Sequence, residues 1–155
     1  MTQTQTHART QRRAPRHQQS LAARRAGYVI GALVNVVMLG AVNVWPGWQA
    51  VPFLTDDMTR VLGLVNASIA VGVLVNLAYI VSDRPLVKAV GDIAQPVVGI
   101  AALVRMWQVF PFDFEPGSLD WELLARWAIA VGVAGSVIAI IVAVVGFARA
   151  LLRAT

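Results

Sequence analysis

Residues 88–99 read KAVGDIAQPVVG, an apolar run interrupted by an aspartate, a glutamine and a proline. An ionisable side chain inside a membrane segment is costly and marks ion pathways, proton relays or polar contacts between helices. Pro96 has no N–H, so in a helix the carbonyl of Asp92 loses its i+4 donor, and a kink is predicted there. Asp92 then presents a carboxylate and a freed carbonyl at one point, with Gln95 on the same face and Lys88 one turn away as an ion-pair partner. Two asparagines, Asn35 and Asn76, interrupt other apolar runs. At ~1.5 Å per residue, Asn35, Asn76 and Asp92 each lie about 8–10 Å from the same end of their helices. Asn35, Asn76, Asp92 and Gln95 thus form a candidate polar layer. Its chemistry is hydrogen-bonding glue between helices, typically under ~2 kcal/mol per contact, or the binding of a cation or proton. A second polar level is expected from Asn43 and Asn66, with Arg105 near it.

Other chemistry is excluded by residue type. The chain has no cysteine, so disulfides, thiolate nucleophiles and thiolate-bound metals are absent. Its two histidines, His7 and His17, lie in the polar N-terminal stretch, away from any apolar run. Gly91-Asp92 is a fragment of the GxGD pattern of intramembrane aspartyl proteases. Position 89 is alanine, however, and no second intramembrane aspartate is available to share a proton. Neither G-x-x-x-x-G-K-[ST] nor G-x-G-x-x-G occurs. No catalytic, cofactor-binding or metal-binding residue is assigned, and an enzyme is not expected.

These residues must be positioned by membrane helices. Of the 155 residues, 57% are hydrophobic and 14% charged, and mean hydropathy is +0.65. A soluble domain is nearer 45–50% apolar and about 25% charged. The apolar residues gather in four runs of the length that crosses ~30 Å of hydrocarbon. The fold class is therefore an all-α integral membrane protein, a four-helix bundle with transmembrane helices at about 28–45, 60–81, 85–109 and 120–150. The expected caps are Thr55, ahead of Asp56 and Asp57, and Ser118, ahead of Asp120. Residues 1–27 are polar and arginine-rich and are expected to be a disordered basic tail that remains attached. Twelve arginines against one lysine, with abundant Ala, Val and Gly, is the bias of a high-GC bacterial genome, so the membrane would be the inner, cytoplasmic one.

Placement of Lys and Arg orients the bundle. The tail, the 82–88 turn and the C-terminal end carry most of the basic residues, whereas the other two loops are acidic. Both termini are accordingly expected in the cytoplasm. Five tryptophans, Trp45, Trp48, Trp107, Trp121 and Trp127, then fall at the outer boundary, as an interfacial anchor or an outward platform for lipid or a partner protein. Three small-residue stripes suit close helix packing: Ser68/Gly72/Asn76, Gln95/Gly99/Ala102 and Ala128/Gly132/Ser136. The six tail arginines favour anionic lipid over nucleic acid, since no aromatics lie among them to stack on bases. The partners expected are the bilayer and either a homo-oligomer or another membrane protein. The leading functional expectation is a non-enzymatic structural or accessory subunit acting through protein or lipid partners. The alternative is a small oligomeric ion or proton channel, or a transporter, built on the polar layer around Asp92.

Overall fold

A computed structural model describes residues 21–152 apart from 83, 116 and 118. Four helices account for most of it: α1 Leu21–Asn43, α2 Thr59–Val81, α3 Pro85–Val109 and α4 Trp121–Leu152. All four are long and apolar enough to cross a membrane, so the chain is a helical, multi-pass membrane protein. Two short 3-10 turns, Trp48–Ala50 and Asp56–Met58, lie in the α1–α2 loop.

Local chemistry explains the boundaries. Pro85 opens α3, where its missing N–H is harmless. Phe110 closes α3 in a left-handed conformation (φ 46°), donating its N–H to the Met106 carbonyl at 2.8 Å. Asp120 caps α4 by accepting the Leu123 N–H at 2.9 Å. The expected cap Ser118 lies outside the described residues. Thr55 occupies the cap position before Asp56–Met58 but makes no side-chain cap bond there. The first helix starts earlier than its hydropathy predicts. Residues 21–27, expected in the disordered tail, form the first two turns of α1, because Leu21, Ala22, Ala23 and two arginines are all good helix formers. The remainder of the tail, 1–20, lies outside the described residues. Pro96 does not interrupt α3, which is helical without a break from Pro85 to Val109.

The helices pack as a series: α1 on α2, α2 on α3, α3 on α4. Among the described residues no packed seam joins α1 to α4, so the series stays open along one side. Few residues are buried, among them Ala32, Val61, Ile69, Tyr79, Ala102 and Ile129. Large apolar side chains such as Val37, Leu74, Val81 and Val131 point outwards. That is the inverse of a soluble core and suits a chain whose solvent is lipid.

The two long loops meet at one end of the bundle. Asp113 donates its N–H to the Phe53 carbonyl (2.9 Å), and Thr55 donates to the Pro111 carbonyl (3.0 Å), forming a backbone bridge between Leu54 and Phe112. Phe53, Phe112 and Phe114 stack around it, and the Phe110 ring meets Phe112 edge-on. The Arg126 guanidinium lies 4.1 Å from the Phe110 ring centre and 5.4 Å from that of Trp107, while bonding Glu122 at 2.9 Å. The other end carries the short link from α2 to α3.

Candidate functional site

The site is built from helix pairs. Along α1 and α2 two Gly-x-x-x-Asn segments face each other, Gly31/Asn35 and Gly72/Asn76. Asn35 donates to the Gly31 carbonyl and Asn76 to the Gly72 carbonyl, each at 2.8 Å. Each asparagine side chain also covers the glycine of the other helix. A Cβ on Gly31 would lie 2.6 Å from Asn76 Oδ1, and one on Gly72 would lie 2.7 Å from Asn35 Oδ1. Nearer the loop end, Asn43 and Asn66 exchange amide hydrogen bonds of 2.9 and 2.7 Å. This is the second polar level expected from the sequence, without Arg105.

The α2–α3 hairpin places Asp92. Its short turn sets Tyr79 opposite Lys88, and helical side chains lean towards their own N-terminus. Tyr79 therefore leans away from the turn and reaches Asp92. Its hydroxyl lies 2.6 Å from Asp92 Oδ1 and 3.0 Å from the Lys88 carbonyl oxygen. Gly91 makes room: a Cβ there would collide with the Tyr79 hydroxyl and lie 2.8 Å from two ring carbons. The Lys88 ammonium lies 5.9 Å from the centre of the Tyr28 ring, so Asp92 takes its hydrogen bond from a tyrosine where a lysine pairing was expected. Tyr28 in turn packs edge-on against Tyr79.

Between the walls of α1 and α4 runs an open-sided groove of about 740 Å³. Asn35 and Met38 line it from α1, and Ser68 and Ile69 from α2; Asp92, Gln95, Pro96 and Gly99 contribute from α3, and Ser136 and Val142 from α4. Three of the four candidate polar-layer residues meet here: Asn35, Asp92 and Gln95. Asn76 does not; it is held in the α1–α2 seam against Gly31, one turn from Asn35. Ser68 and Ser136, identified from the sequence only as packing residues, join the lining. Both donate backwards along their own helices, to Val65 and Gly132 carbonyls, at 2.8 Å. Asp92 and Gln95 are exposed to the groove, and Gln95 makes no hydrogen bond among the described residues.

The five tryptophans expected at the outer boundary lie in or beside the two long loops. Trp45, Trp107, Trp121 and Trp127 are exposed and Trp48 is half-buried. The phenylalanine cap was missed, although F-P-F-D-F at 110–114 with Phe53 in the opposite loop was its visible signal. Tyr79 was missed because a tyrosine near a helix end reads as an interface anchor. No protein-family model matches the chain, no curated protein is significantly similar to it in sequence, and no solved structure matches its fold.

Proposed function

We propose that this chain is a non-enzymatic accessory protein of the cytoplasmic membrane that holds a lipid-phase guest in the groove between α1 and α4. The observation that carries the reading is the open series of helices with polar groups along its groove. In hydrocarbon an exposed amide or carboxylate is expensive unless something covers it. A groove of about 740 Å³ is in the size range of ligand sites. The acidic loops with their tryptophan rim would face outwards and both termini the cytoplasm, with tail arginines against anionic headgroups. Native mass spectrometry of gently extracted protein tests the reading. A bound small molecule or lipid is expected on the wild type and not on Gly99→Leu, where the new side chain enters open space in the groove. A bare wild-type chain, or a guest held equally by both proteins, would refute it.

One observation favours a second reading, an oligomeric channel or transporter: Asp92, an exposed acid, belongs to the lining of the groove. Proteoliposomes would then show an ion or proton flux that Asp92→Asn abolishes. Flux that is absent, or unchanged by the substitution, removes this reading.

A further inference from the structure

The polar lining of the groove is rich in acceptors and poor in donors. The Ser68 and Ser136 hydroxyl hydrogens are turned back onto their own helices, as is one amide hydrogen of Asn35. Pro96 contributes no N–H, and the amide of Gln95 is the only lining donor group with no bond among the described residues. Asp92 is the only ionisable residue in the lining, and no lysine or arginine belongs to it. Tyr79 holds Oδ1 and so fixes the carboxylate's orientation, leaving Oδ2 without a hydrogen bond among the described residues. The lining thus carries one carboxylate and several lone pairs, and none of its residues is cationic.

The remainder of the groove is apolar, with Met38, Ile69, Pro96 and Val142 among its walls. A bare metal ion needs several oxygens converging at about 2.0–2.6 Å. Here the oxygens are spread along a groove of about 740 Å³, and no metal-binding group of His, Cys, Asp and Glu side chains occurs among the described residues. The missing α1–α4 seam leaves a way in from the bilayer.

From this chemistry we infer that the groove binds a lipophilic organic monocation, its positive centre on Asp92 and its apolar body against α1 and α4. This rests on the groove being a guest site and names the class of guest. The test is equilibrium binding of tetraphenylphosphonium to the full chain in nanodiscs, with tetraphenylborate as the anion of matching shape. Saturable binding of the cation and none of the anion is expected. Asp92→Asn and Gly99→Leu should each weaken it by at least about tenfold, whereas Asp92→Glu, which keeps the charge, should retain it. The pair separates charge from folding, because Asp92→Glu must bind where Asp92→Asn does not. Absence of saturable binding, or equal binding by wild type and Asp92→Asn, overturns the inference. If native mass spectrometry still finds a neutral guest that Gly99→Leu excludes, only the charge assignment falls; if it finds none, the guest site falls as well.

Discussion

The Tyr79 hydroxyl carries one hydrogen and faces two acceptors, Asp92 Oδ1 and the Lys88 carbonyl. It is the contact through which the α2–α3 hairpin aims the carboxylate. Tyr79→Phe removes it while keeping the ring on Tyr28, and should lower stability by about 1 kcal/mol in detergent unfolding. Gly91→Ala should cost more, about 1–3 kcal/mol, because its Cβ meets ring carbons as well as the hydroxyl. Equal losses from the two substitutions would show that the tyrosine is loosely held. At this scale the sequence reveals what is conspicuous against an apolar background. Asp92, Gln95 and Asn35 stand out for that reason, and all three line the groove. It does not reveal partners, which depend on hairpin register and side-chain direction. Depth measured from helix ends therefore places Asn76 with Asp92, although its amide bonds Gly72 of its own helix and its side chain covers Gly31 in the α1–α2 seam.

Among the elements, α1 and α2 form the most specified pair. Their reciprocal Asn-on-Gly contacts allow close backbone approach, the usual means of helix association where lipid is as apolar as the helices. Gly72→Leu places a side chain where Asn35 now lies, and should destabilise the bundle by about 1–3 kcal/mol, measured by detergent unfolding. A double-mutant cycle on Asn43→Ala and Asn66→Ala should return a coupling of about 0.5–1.5 kcal/mol for the paired amides; additivity would mean that they do not bond in the membrane. The spans of α2, α3 and α4 follow from hydropathy and punctuation to within two residues. The start of α1 does not, since arginines interrupt hydropathy without interrupting a helix. Small-residue stripes mark faces but not which neighbour each one meets. Gly132 turns out to face Leu103 of α3, and Gly99 lies in open space.

The whole molecule is an open series of helices, and its openness is invisible in the sequence. α4 is apolar all round, so no face of it announces a neighbour or the lack of one. Orientation is a matter of loop charge. With no cysteine in the chain, single-cysteine labelling tests it cleanly. Phe53→Cys should react with an impermeant maleimide on intact spheroplasts, and Ser82→Cys only after permeabilisation. The reverse pattern would invert the bundle.

A guest held in the α1–α4 groove of the native membrane would be caught there by crosslinking. The most direct test puts a photo-crosslinking benzoylphenylalanine at Met38, which lines the groove, or at Leu74, which is exposed outside it. Irradiation of native membranes should yield one adduct of defined mass at position 38, lost when Gly99→Leu fills the groove, and only a mixture of bulk lipid adducts at position 74. The same mixture at both positions would show the groove to be ordinary lipid-facing surface and rule out a specific guest.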